Sequence, residues 1–205
     1  TMLVNEEAVM SMKLNGSIGL AVCLFAGTAV AAEPGSETVS VKAMADALHI
    51  VMDSDRTVYT KKIVNRRVKK DKVIKASEHF EDDQALALPA QMFRFGAELV
   101  AERSADNPDV NFTYSLQSLW PVNKQNAPKT EAEKAGLKYV ADNIGKNYYT
   151  TETLGGQKYF TAVYPDIGVA PVCVACHNAH PDTPKDDFKL GDVMGGVVNR
   201  IPVDS

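Results

Sequence analysis

Tyr148-Tyr149-Thr150-Thr151-Glu152-Thr153-Leu154-Gly155-Gly156-Gln157-Lys158-Tyr159-Phe160-Thr161-Ala162-Val163-Tyr164 decides the fold. Two runs rich in aromatic and β-branched residues flank a Gly-Gly pair, and that pattern encodes a β-hairpin. Strands are therefore expected over 148–154 and 157–164. Downstream, Asp192 to Val203 predicts a last strand, with Gly195-Gly196 marking a bulge or a close backbone approach. Upstream, Thr130 and Glu133 form a T-x-x-E capping box that opens a helix running to about Ile144.

Further upstream the pattern alternates between the two periods. Asn111 to Trp120 reads as a strand anchored by Phe112, Tyr114, Leu116 and Trp120, and Pro121 to Lys129 as polar loop. Asp106-Asn107-Pro108 marks a turn, and Pro89 opens a helix carrying Met92, Phe93, Leu99 and Val100. Glu37 to about Lys70 predicts one long helix or two in succession, because Val41, Met44, Leu48, Val51, Met52, Val58, Tyr59 and Ile63 recur at helical spacing. Its end is basic, which reads first as a solvated face that complements the helix dipole. Helices first and antiparallel strands late give an α+β domain with a small antiparallel sheet, the cysteine motif lying in a connection between strands.

Composition fits a globular protein: 45% of the 205 residues are hydrophobic and 23% charged. A net charge of −4 argues against broad nucleic-acid binding, which needs cationic surface to neutralise phosphates. Lys13, the apolar run Ile18 to Ala26 and the small-residue site Ala29-Val30-Ala31 describe a secretory signal peptide starting at Met12. Residues 1–31 are thus expected to be upstream sequence and cleaved signal, and 32–205 one domain exported to the periplasm. The apolar run is short for a bilayer span, and no second one follows.

Loss of Cys23 with the signal leaves Cys173 and Cys176, both within Cys173-Val174-Ala175-Cys176-His177. C-x-x-C-H is the haem c attachment pattern. Two intervening residues let one turn present both sulfurs to neighbouring vinyl groups, and the adjacent histidine then reaches iron. The expectation is one covalent haem c, with His177 as proximal ligand. A redox-active C-x-x-C competes, but it belongs at a helix N-terminus after a strand, and Pro171-Val172 gives little sign of one. A zinc site would crowd its ligands between Cys173 and His180. For the distal position Met92 is placed ahead of His79 and His49. Met ligation raises the potential, whereas an open position admits small ligands.

Several stretches in order carry a family resemblance: Asp55-Arg56-Thr57-Val58-Tyr59-Thr60, Leu88-Pro89-Ala90-Gln91-Met92-Phe93-Arg94, Trp120-Pro121-Val122-Asn123-Lys124-Gln125-Asn126-Ala127-Pro128 and Tyr159-Phe160-Thr161-Ala162-Val163-Tyr164-Pro165. The haem motif and Gly191-Asp192-Val193-Met194-Gly195-Gly196 complete the series. Together they resemble periplasmic or membrane-tethered haem c proteins with a PAS-like fold. The resemblance implies a PAS-like antiparallel sheet with an N-terminal helical extension, carrying one haem. In some relatives the distal ligand is a cysteine at the start of the second helix; residues 85–89 here contain none. The resulting expectation is a non-enzymatic, one-electron carrier with a periplasmic redox partner. The alternative is a haem-based redox or gas sensor acting through a separate partner.

Overall fold

The computed structural model describes residues 38–107 and 111–204. The expected signal peptide and the turn at Pro108 lie outside the described residues. Among those described, no helix is long and apolar enough to cross a membrane.

Ser40 caps the first helix, α1 (Val41–Val58), by accepting the Ala43 backbone N–H. The helical path does not end there. It widens into π-helical turns at Tyr59–Val64 and Arg66–Lys70, in place of a uniform α-helix through Lys70. A two-residue parallel pair follows, β1 (Ala76–Ser77) with β2 (Leu86–Ala87), too short to leave a periodic signature. Pro89 stands at the first turn of α2 (Pro89–Ala105), where its missing N–H is no loss.

The principal sheet contains β3 (Thr113–Gln117), β4 (Tyr148–Leu154), β5 (Gln157–Ile167) and β6 (Val193–Pro202) in the order β3-β6-β5-β4. All of its pairings are antiparallel. The hairpin turns at Gly155 and Gly156, whose φ values of 58° and 85° explain the two glycines. β3 is shorter than its sequence suggests: Ser118 leaves the ladder to bond the Met194 carbonyl through its side chain, and Trp120 lies in a bend. β5 instead runs three residues past Tyr164.

Alternation along β5 and β6 divides the core. Ala162, Tyr164 and Val197 pack with Ala45 of α1 and Phe93 of α2 on one face. Val163 and Val198 pack on the other against Leu137 and Val140 of α3 (Glu131–Asp142), the helix opened by the Thr130–Glu133 capping box. Polar contacts fix α1 to its face. Tyr164 and Tyr149 both donate to Asp46 Oδ1, at 2.9 and 2.8 Å, and Asn199 Nδ2 donates to the Ala45 carbonyl at 3.3 Å. The result is an α+β domain, an antiparallel sheet with an N-terminal helix, consistent with a PAS-like arrangement.

Both readings of Gly195-Gly196 have a structural counterpart. A Cβ on Gly195 would stand 2.4 Å from the Gln117 carbonyl oxygen, so the strands approach too closely there for a side chain. The register also shifts: Asp166 pairs with Gly195 but Ile167 with Val193, leaving Met194 as the extra residue of a bulge. Bulges re-aim side chains, and this one sits at the end of β5 nearest the cysteine motif.

Candidate functional site

The cysteine motif lies on a helix, α4 (Pro171–Ala179), which begins a few residues beyond β5. The motif thus lies in the connection between β5 and β6, as the sequence implied, but that connection contains a helix the sequence did not predict. The segment is too short for helical periodicity to show, although Pro171 at its first turn is the ordinary helix-start signal. Helical geometry places Cys173, Cys176 and His177, at i, i+3 and i+4, on one face. All three line a cavity of ≈ 450 Å³ together with His49, Arg56 and Thr60 from the N-terminal helical segment and Asp166 and Met194 from the sheet. A second cavity of ≈ 440 Å³ shares Cys176, His177, Arg56, Asp166 and Met194, and adds Arg94, Trp120 and His180.

The elements around α4 hold it firmly. Asn178 exchanges two hydrogen bonds with the Phe188 backbone, donating to its carbonyl at 2.9 Å and accepting its N–H at 3.2 Å. Phe188 is buried and meets the His177 ring edge-on, with centroids 6.3 Å apart, and also packs on Trp120. His177 Nδ1 is buried and has no hydrogen-bond partner among the described residues. Burial, offset in part by the Asp166 charge, lowers the His177 pKa, so the imidazole stays neutral and keeps a lone pair to donate. Gly168 provides room on the cavity wall: a Cβ there would come within 2.9 Å of Met194 Sδ.

A helix N-terminus after a strand is also where a redox-active C-x-x-C sits. Here burial raises the Cys173 thiol, offset only in part by a backbone hydrogen bond and the Arg56 charge. A reactive redox cysteine shows the opposite shift. Among the described residues no group of three or more His, Cys, Asp or Glu side chains is arranged to hold a metal ion. Two thiols and a neutral imidazole on one helical face, opening onto a largely apolar cavity, fit a planar group attached through sulfur and ligated by nitrogen.

The residues considered for the distal position separate clearly. His49 lines the same cavity as His177, its ring stacked on Tyr164 at 3.9 Å with a 6° interplanar angle. Met92 lines neither cavity, and neither does His79, whose side chain is 74% exposed beside Glu78. Met194, which the sequence did not single out for this position, lines both. His180 orients the following loop by accepting the Asp182 N–H. Arg94 lines the second cavity, whereas Arg200 is committed to Glu133 and Glu152. Arg56 points into the protein from the end of α1. It makes a two-point ion pair with Asp166, at 2.7 and 3.1 Å, on the wall of both cavities.

The family model of Tll0287-like proteins matches residues 36–202, which include every element described above. The chain belongs to the Tll0287-like family. Among solved structures, that of the cyanobacterial heme-protein Tll0287 is similar at 14% identity, covering 80% of this chain and 97% of that one with a TM-score of 0.42. No curated protein matches. Within this Tll0287-like chain the C-x-x-C-H helix, the bulge at Met194 and the Arg56–Asp166 pair all fall inside the matched residues.

Proposed function

We propose that this Tll0287-like protein is a monohaem c protein that transfers single electrons outside the cytoplasm, in the periplasm, and is not an enzyme. The observation that carries the reading is the placement of Cys173, Cys176 and His177 on one helical face lining one cavity. The similarity to a heme-protein supports the identity of the group. Cys173 and Cys176 would hold it through thioether bonds and His177 through its imidazole. When bound, haem supplies a one-electron couple at iron whose potential depends on axial ligand, burial and nearby charge.

The protein's own part is to orient and exclude. Phe188 and the Asn178 clamp fix the His177 ring. Val64, Val172, Ile167 and Met194 give the cavity apolar walls that limit water. The Arg56–Asp166 pair places two opposite charges on that wall with no net charge, which keeps the local field small. His49 lines the same cavity, and its buried Nδ1 has no hydrogen-bond partner among the described residues, so it would be the second nitrogen donor to the group. An iron with both ligand positions filled would favour electron transfer over binding of small ligands.

The test is expression with export in a host that matures haem c, followed by a pyridine haemochrome assay and optical spectra. One covalent haem per chain, with low-spin ferrous bands unchanged by carbon monoxide, is the expected result. A carbon-monoxide-responsive ferrous spectrum would turn the reading to a gas or redox sensor. Absence of covalent haem would overturn it.

A further inference from the structure

The charge of this chain is distributed unevenly. Residues 61–75 hold eight of its 22 Lys and Arg residues and one of its 26 Asp and Glu residues, so this segment carries +7 and the remainder −11. The cations are Lys61, Lys62, Arg66, Arg67, Lys69, Lys70, Lys72 and Lys75, and all are exposed. Asp71 pairs with Arg66 and Arg67; the other six have no ion pair among the described residues. The segment begins in the π-helical turns, and wide turns of this kind are frequent at functional sites.

The same segment forms one wall of the cavity that holds the cysteine motif, through Val64, Asn65, Val68 and Lys69. Of the eight cations only Lys69 lines that cavity. Binding an acidic group inside the cavity therefore cannot account for the other seven. Among them stand two exposed apolar side chains, Ile63 and Val73. A run of exposed like charge interspersed with two apolar side chains, beside the proposed haem cavity, suits a brief and small complex steered by complementary charge.

We propose that the basic segment 61–75 is the docking face for the acidic surface of an electron-transfer protein. The inference rests on the haem reading above and adds the partner's chemistry and its point of approach. A partner seated there abuts the cavity wall. Its negative charge finds +7 on an otherwise acidic molecule, so the same field that attracts it at this face repels it elsewhere.

The test compares haem-loaded wild type with Lys62→Glu/Lys70→Glu and with Lys134→Glu/Lys138→Glu. The second pair makes the same change in net charge on α3, which lines neither cavity. The ferrous protein is mixed with hexacyanoferrate(III), an anion, which takes one electron to give ferric protein and hexacyanoferrate(II). At low ionic strength the patch variant is expected to react about tenfold more slowly, the α3 variant to change far less, and salt to abolish the difference. The cationic oxidant tris(phenanthroline)cobalt(III) should show the reverse order. Equal slowing by the two variants, or indifference to salt, would overturn the proposal. A second arm needs no haem: on immobilised poly-L-glutamate, wild type and the α3 variant should be retained and the patch variant released. Failed haem attachment would sink the proposed function, while this arm would still decide the docking face. Stronger capture by phosphatidylglycerol vesicles than by poly-L-glutamate, lost in the patch variant, would assign the face to a membrane surface and overturn it too.

Discussion

Arg56 and Asp166, 110 positions apart in the sequence, meet through two hydrogen bonds of 2.7 and 3.1 Å on the wall shared by both cavities. Arg56 also lies over the Phe93 ring, 5.6 Å from its centroid. The pair fixes α1 to the end of β5, just ahead of the helix bearing the cysteine motif. Its side chains are only 19% and 17% exposed, so removing one partner strands a desolvated charge. Asp166→Asn should therefore cost about 3 kcal/mol, read as a lower urea midpoint at constant m-value. The double variant Arg56→Leu/Asp166→Leu should be more stable than the sum of the single changes implies. Strict additivity would show that the two residues are not coupled.

Placement in the cavity makes a prediction about the second axial position of a haem-loaded protein. His49→Ala should open the ferrous iron to carbon monoxide and convert its spectrum toward high spin. Met92→Ala and His79→Ala should leave it unchanged, because neither residue lines the cavities. The His49 ring is held by its stack on Tyr164, which is itself pinned to Asp46, so it is already oriented. A response to Met194→Ala in place of His49→Ala would assign the position to the methionine on the bulge.

What the sequence disclosed and what it withheld follow one physical division. The 148–164 hairpin and the Thr130–Glu133 cap were legible because each is decided by residues within a few positions: two glycines at positive φ, and two side chains exchanging bonds with each other's backbone. Cys173, Cys176 and His177 were legible for the same reason, since their spacing alone sets their common face. Helix α4 was not, because nine residues do not complete enough turns to show a period. Neither was which of Met92 and His49 lines the cavity, which depends on how α1 lies across the sheet. That placement is decided by Asp46, Asn199 and Asp166, contacts spanning more than a hundred residues. An apolar helical face tells that a side chain is covered but not by which element, and Met92 on its periodic face was such a case.

A pH dependence follows from the other side of the sheet. Glu133 is 1% exposed and paired with Arg200. Burial alone would raise its pKa, but hydrogen bonds from the Gln117 amide, the Lys129 N–H, the Arg200 guanidinium and the Thr130 N–H outweigh burial and hold the carboxyl below its ordinary range. A carboxylate with a depressed folded-state pKa binds its proton less readily folded than unfolded. Its contribution is complete above the unfolded-state value, about 4.3 for glutamate, and disappears as pH falls through the lower folded-state value. Wild-type Tm should therefore drop as the pH is lowered from about 5 toward 2. Glu133→Gln should cost roughly 3 kcal/mol at neutral pH, because it leaves buried donors facing an amide and Arg200 with Glu152 alone. Its Tm should also fall less steeply across the acid range, so the two curves converge at low pH. Parallel curves from neutral to acid pH would show that Glu133 carries none of the acid sensitivity.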